Sequence, residues 1–208
     1  MTDALTFYTN PMSRGAIARW MLEEIGQPYE TVLLDYGTTM KTPDYLAINP
    51  MGKVPAIRHG DTVVTEVAAI CAYLADTFPD AGLAPRTSAE RGAYYRWMFF
   101  AAGPVEAAVS DRMLGVEVPT DKEMMVGYGS YDRVVDALDG LFSSTNYVAG
   151  DRFTAADVYL GSHIRWGMQF GTLPKRDSFD AYLGRIAGRP AAQRAQEIDE
   201  KLREAAQS

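Results

Sequence analysis

The chain has 208 residues, 47% of them hydrophobic, which is ample for one large or two small packed cores. A net charge of −7 with no basic tract argues against a nucleic-acid partner, and the most apolar stretch, broken by Glu66, is far short of a membrane span. With no signal peptide ahead of the first predicted strand and a single cysteine, Cys71, the sequence predicts a cytoplasmic protein with neither an internal disulfide nor a CxxC redox centre.

Ala4 to Thr9 predicts a strand, ended by the turn signal Asn10-Pro11-Met12. In the helix that follows, Ile17, Met21 and Ile25 form one stripe with Ala18 and Leu22 beside it, and Gly26 is placed to stop it. Tyr29 to Leu34 supplies a second strand. Strand, helix and strand in so short a span make a βαβ unit, so these two strands should run parallel with a right-handed crossover. After the polar loop DYGTTMKT, Pro43 to Ile48 has room only for a short helix before Asn49-Pro50. Val54 to Ile57 and Thr62 to Thr65 are short β-branched runs joined across His59, Gly60 and Asp61, the pattern of a hairpin. From Thr65, the expected N-cap, Val67, Ile70, Cys71, Leu74 and Phe78 recur at helical steps. Cys71 falls on that apolar face and reads as a buried structural thiol.

The segment PDAGLAPRT, residues 79–87, is a linker, and the chain beyond it is helical. Capping boxes at Thr87 to Glu90 and Thr120 to Glu123 predict helices beginning near Ser88 and Asp121. Gly103-Pro104 should kink the first of these. Gly127 and Gly129 would cost the second roughly 1 kcal/mol each relative to alanine. In FTAADVYL, Thr154 caps a helix starting at Ala155, with Asp157 bonding back and Phe153 stapling to Val158. Gly171 to Pro174 breaks that helix, and two more are expected at 179–187 and 190–206. The organisation is therefore α/β followed by all-α: a domain of residues 1–78, the linker, and an all-helical domain of residues 88–208.

Two places invite chemistry. Pro55 heads a strand, a position tolerated mainly at edges, and leaves the main chain of Val54 open to an extended peptide. Free N–H groups at the start of the next helix would receive a carboxylate, and Glu66 an ammonium. Glutathione carries these groups, although a strand-opening proline and a solvated glutamate also satisfy the residues. Ser13, between the first strand and first helix, is placed either to cap that helix or to donate to a thiolate near its positive end. Taken by itself the residue favours the cap. His59 and His163 have no partner motif for metal binding, so no metal is expected.

NPMGKVPAI followed by TEVAAICAYL resembles the glutathione-binding half of the soluble, cytosolic-type glutathione S-transferase family, and the likeness extends over nearly the whole chain. It implies a thioredoxin-like N-terminal domain followed by an all-helical C-terminal domain in which FTAADVYL is similar to the family's N-capping motif. It implies a cis Pro55, a backbone pairing of Val54 with the cysteinyl part of glutathione, and a contact of Glu66 with the γ-glutamyl end. Arg14, Lys41 and Lys53 join the implied glutathione site. Val67 stands where the family usually has a serine; only its N–H remains, and the lost hydroxyl bond would weaken binding by roughly 1.5–3 kcal/mol. FYTNPMSRG puts Ser13 where the serine-type classes carry the activating serine and the bacterial cysteine-type class its cysteine, which implies a bacterial-like member with a serine-type site. Tyr8, near the hydroxyl of the tyrosine-type classes, is the second catalytic candidate.

The implied second-substrate wall is Met12, Phe99, Ala102, Gly103, Glu106 and Trp166, residues whose spacing also suits a core. The implied activity is conjugation of the glutathione thiolate to small hydrophobic electrophiles in detoxification, with glutathione as co-substrate, by a homodimer. The alternatives are a non-catalytic interaction protein of the same fold, a glutathione-dependent isomerase, and a glutathione-dependent disulfide reductase or peroxidase.

Overall fold

The computed structural model describes residues 3–206, which form two compact units: the chain up to Gly82 together with the segment from Arg189, and Leu83–Gly188. In order, the elements of the first stretch are β1 (Leu5–Thr9), α1 (Gly15–Ile25), β2 (Glu30–Leu33), α2 (Pro43–Leu46), β3 (Ala56–His59), β4 (Thr62–Thr65) and α3 (Val67–Thr77). Next come α4 (Ser88–Phe100), α5 (Glu106–Leu114), α6 (Tyr131–Ser144), α7 (Ala155–Phe170) and α8 (Asp177–Ile186), and α9 (Pro190–Ala205) closes the chain. The architecture is a thioredoxin-like α/β unit followed by a helical one.

The sheet has the order β2-β1-β3-β4. β1 and β2 run parallel, as the crossover requires, and β3 is antiparallel to both β1 and β4. Strict alternation along β1 buries Leu5, Phe7 and Thr9 and turns Thr6 and Tyr8 to the other face. Ile17, Met21, Leu22 and Ile25 are buried along α1, which ends at Gly26 in the left-handed conformation, its N–H bonded to the Leu22 carbonyl. Cys71 is fully buried in α3, where burial pushes its thiol far above the ordinary range. Thr65 does not cap α3. Glu66 occupies the cap position at φ 64 and ψ 120, and no side chain bonds to the helix start.

The all-α stretch drawn from the sequence includes residues 190–206, but α9 packs along α1 in the sheet-bearing unit. Arg19 Nε lies 2.6 Å from Asp199 Oδ1, with both side chains 3% exposed or less. Arg19 Nη1 also reaches the hydroxyls of Tyr29 and Thr31 at 3.2 and 3.4 Å, and the guanidinium lies over the Phe7 ring. Arg189 grips Glu24 through two bonds of 2.6 and 2.7 Å. Ala191, Ala195 and Asp199, on one face of α9, are buried. The amphipathic pattern shows that α9 hides a face; charges 180 residues away decide against what.

In the helical unit, the Thr87 hydroxyl accepts the Glu90 N–H at 3.1 Å and starts α4 where expected. A π-helical turn, Ala101–Val105, holds Pro104 and joins α4 to α5. The helix expected from Asp121 is only a 3-10 turn, Thr120–Met125; the chain then turns extended at Val126 and left-handed at Gly129 before Ser130 caps α6. Gly129 is thus kept for its positive φ of 71° outside any helix. Thr154 and Asp157 form the full capping box of α7. Asp157 accepts from the Val148 and Thr154 N–H groups and from the Thr154 and Tyr182 hydroxyls, so this cap also ties α7 to α8 and to the loop before it.

Candidate functional site

Sheet register assembles the candidate residues. Tyr8 pairs with Ala56, Ala56 pairs with Thr65, and Thr9 pairs with Leu33. The C-terminal end of β1, the start of β3 and the end of β4 therefore lie at one end of the sheet. Ser13, Val54 and Glu66 each follow or precede those strand ends by a few residues, and α1 and α3 both begin there.

The turn carrying Ser13 is closed by its own residues. The Asn10 carbonyl accepts the Ser13 N–H at 3.0 Å and the Ser13 hydroxyl at 2.7 Å. Asn10 Oδ1 accepts the Met12 N–H at 2.9 Å, while Asn10 Nδ2 donates to the Leu34 carbonyl at 2.8 Å and ties the turn to the end of β2. The Ser13 hydroxyl oxygen in turn accepts the Gly15 N–H at 2.9 Å, a cap-like bond from one residue ahead of Arg14, which holds the cap position of α1 and makes no side-chain bond to the helix start. Gly15 is there for space. A Cβ at that position would lie 2.0 Å from Thr9 Oγ1 and 2.9 Å from Ser13 Oγ. Arg14 follows in helical conformation, exposed.

Tyr8 packs beside the cluster of Leu34, Met40 and Tyr45, its ring 5.8 Å from that of Tyr45, on the face opposite Phe7. Val54 packs on the same cluster. The Val54–Pro55 peptide bond is cis, as the family likeness implied, and Val54 stands just ahead of the ladder that begins at Ala56. The preceding loop is held from inside: the Lys53 carbonyl accepts both the Tyr45 hydroxyl and Asn49 Nδ2 at 2.7 Å. Lys41 Nζ donates to the Gly52 and Met51 carbonyls at 2.8 and 3.4 Å, so its ammonium serves this loop. The Lys53 side chain is exposed. Glu66 is exposed at a positive φ of 64°, and the first turn of α3 behind it presents N–H groups that no side chain caps. Such a helix start favours an anion.

Of the suggested second-substrate residues, Met12 is exposed on the Ser13 turn. The other five belong to the helical unit. Phe99 is exposed on α4, Ala102 and Gly103 are exposed in the π turn, and Trp166 is half-buried on α7. Glu106 opens α5 with its carboxylate 4.0 Å from His163 Nδ1. His59 ends β3, 2.9 Å from the Tyr73 hydroxyl. Among the described residues no cluster of three His, Cys, Asp or Glu side chains is placed to hold a metal ion, and no helix is long and apolar enough to cross a membrane.

Residues 14–77 match the model of the glutathione S-transferase N-terminal domain and residues 119–190 that of the C-terminal domain. Glutathione S-transferase GstA of Escherichia coli O157:H7 is 31% identical over 155 residues, 73% of this chain and 76% of that protein. The chain belongs to the glutathione S-transferase family. A second family relative, glutathione S-transferase GST-4.5 of Xanthomonas campestris, is 28% identical over 88% of this chain and 92% of its own. Among solved structures, the theta class glutathione S-transferase from Xanthomonas axonopodis pv. citri, with glutathione bound, is 28% identical at a TM-score of 0.74, covering 93% of this chain and 97% of that one.

Sequence reasoning about this family member overlooked the residues that hold the site up. Asn10, Gly15, Tyr45 and Asn49 fix the Ser13 turn and the Lys53 loop. Asn10 ahead of a proline carried a turn signal that was readable as a side-chain-closed turn. Asn49 ahead of Pro50 carried the same signal, its Oδ1 accepting the Met51 N–H at 3.1 Å, whereas Tyr45 had none, because its hydroxyl meets the Lys53 carbonyl only once the intervening loop has folded.

Proposed function

We propose that this chain is a glutathione transferase that binds glutathione at the end of its sheet and directs the thiolate at small hydrophobic electrophiles. The observation that carries the reading is the gathering, by register, of an uncapped α3 start, the open main chain at Val54 and the Ser13 turn at one end of the sheet. In this scheme the α3 N–H groups, including that of Val67, receive the γ-glutamyl carboxylate and Glu66 the ammonium. Val54 pairs with the cysteinyl backbone beside Pro55, and Arg14, Lys41 and Lys53 add positive charge around the peptide.

A thiol of pKa ~8.5 is only a few per cent ionised at pH 7, so the protein must favour the thiolate. The Ser13 hydroxyl and the start of α1 do this in our assignment, with Tyr8 as the second candidate. The sulfur then attacks the electrophilic carbon, forming a thioether as halide leaves an aryl halide, or adding to the carbon of an isothiocyanate whose nitrogen takes up a proton. Phe99, Ala102, Gly103, Glu106 and Trp166 of the helical unit, with Met12, contribute to electrophile binding. The protein works as a cytoplasmic homodimer in detoxification.

One observation favours a second reading of the activation step. The Ser13 hydroxyl already donates to Asn10, so main-chain N–H groups at the start of α1 are an alternative stabiliser of the thiolate. Retention on immobilised glutathione, followed by conjugation assays with aryl halides, isothiocyanates, peroxides and mixed disulfides, tests the proposal. Retention with turnover of an aryl halide or isothiocyanate supports it. Turnover of peroxides or disulfides alone would move the reading to a peroxidase or reductase, and no retention would remove the glutathione site.

A further inference from the structure

The turn that carries Ser13 is anchored from the far end of the chain. Arg203, on the last turns of α9, donates from Nη1 to the Pro11 carbonyl at 3.2 Å. Proline has no N–H, so that carbonyl is the only main-chain group by which Pro11 can be held. Asn10 Nδ2 fixes the other side of the turn to Leu34. Between them the two bonds pin the residues immediately before Met12 and Ser13.

The anchor is itself held. Asp199 and Arg203 are four residues apart and share a face of α9, and Asp199 makes the buried bond to Arg19 in the middle of α1. A closed circuit results: Arg19 of α1 holds Asp199, α9 carries Arg203, Arg203 holds Pro11, and the Ser13 turn leads back into the start of α1. A helix of sixteen residues fastened to α1 through Asp199 and Arg19, Arg189 and Glu24, and Arg194 and Glu23 thus sets where the turn at the head of α1 can sit.

We infer that Arg203 is a positioning residue for Ser13, holding the Asn10 to Ser13 turn in the geometry from which the hydroxyl reaches the glutathione sulfur. The inference rests on the assignment of thiol activation to Ser13. Its physical basis is that a reacting group displaced by about 1 Å can lose a large part of its effect, and the bonds within the turn fix its shape while Arg203 and Leu34 fix where it sits.

The test titrates the ultraviolet thiolate absorbance of bound glutathione against pH in the full-length protein. The samples are wild type, Ser13→Ala, Arg203→Met, Arg203→Lys and the Ser13→Ala/Arg203→Met double variant. Arg203→Met is expected to raise the thiol titration in the same direction as Ser13→Ala, and to lower kcat at neutral pH about three- to tenfold with KM for glutathione changed less than about twofold. Arg203→Lys should restore part of the effect. The double variant should titrate like Ser13→Ala alone, since positioning has no meaning without the hydroxyl. Arg194→Met, which removes a partly exposed ion pair between the same helix and Glu23 of α1 but leaves the Asp199 and Arg189 attachments, should titrate as wild type.

Amide exchange at Ser13 and Gly15 gives a reading without glutathione, and should quicken in Arg203→Met. A shifted Ser13→Ala titration beside an unshifted Arg203→Met one overturns the inference and leaves Ser13 in its role. An unshifted Ser13→Ala titration overturns both. Fully additive effects in the double variant, or unchanged amide exchange, show that Arg203 does not act through the turn and also overturn the inference.

Discussion

Ser13→Ala separates a catalytic hydroxyl from a helix cap, and the structure sets the size of the effect. The hydroxyl donates to the Asn10 carbonyl at 2.7 Å, and must leave it to serve a thiolate. The carbonyl is not stranded by that exchange, because it keeps the Ser13 N–H at 3.0 Å. A hydrogen bond to a charged partner contributes roughly 1.5–3 kcal/mol and a neutral one roughly 0.5–1.5 kcal/mol, so the exchange nets about 1–1.5 kcal/mol. That is about one pKa unit on the bound thiol. Ser13→Ala should therefore raise the thiol titration by about one unit and lower kcat at pH 7 by up to roughly tenfold, with part of the rate recovered as the pH rises. Glutathione affinity should change little. Losing the bond from the Gly15 N–H should separately reduce stability by about 1 kcal/mol. The measurement is thiolate absorbance against pH, with Tyr8→Phe as the comparison. If Tyr8→Phe alone moves the curve, Ser13 is only a cap; if neither does, main-chain N–H groups hold the thiolate.

Glu66→Ala is expected to raise KM for glutathione with kcat nearly unchanged, since Glu66 addresses the end of the peptide remote from sulfur, and Val67→Ser to lower KM; steady-state kinetics with an unaltered KM for Glu66→Ala would contradict this. Asp199→Ala leaves the Arg19 guanidinium buried beside only the longer contacts to Tyr29 and Thr31, and should cost about 3–5 kcal/mol in urea unfolding. Arg19→Met/Asp199→Leu should recover most of that loss, and a double variant as unstable as the single would show that the charges themselves are needed. Thr9 Oγ1 is buried with no hydrogen-bond partner, so Thr9→Val should stabilise by roughly 1 kcal/mol, and a lowered thermal midpoint would speak against it.

Burial pushes the Asp157 carboxyl up to about 6 despite its four donors. The native state therefore keeps a proton that the unfolded chain releases, and this contribution is full below about pH 4 and lost as pH rises through about 6. The wild-type unfolding free energy should fall across that window relative to Asp157→Asn by up to about 3 kcal/mol, and a difference rising with pH would show that the donors outweigh burial.

Much of this molecule was legible because its signals are local. The stripe of Ile17, Met21 and Ile25, the stop at Gly26, the hairpin turn at Gly60, and the Thr154 and Asp157 cap each depend on residues within a turn or two of one another. The same locality misled at two points. Thr120 to Glu123 satisfies a capping box but is followed by Gly127 and Gly129, and the chain holds only 3-10 geometry to Met125 before it leaves helix at Val126. Thr65 has the chemistry of a cap, but it pairs with Ala56 in the ladder, so the chain turns at Glu66.

By itself, then, the sequence determined the periods, caps and breaks of this chain and the kinds of side chain at Ser13, Val54 and Glu66. Tertiary structure decided that these meet at one end of the sheet, that the Ser13 hydroxyl is shared with Asn10, and that α9 leaves the helical unit to hold Arg19 and Pro11. Local patterns are written in neighbouring residues; those contacts exist only once strand register and helix packing have closed loops of up to 192 residues.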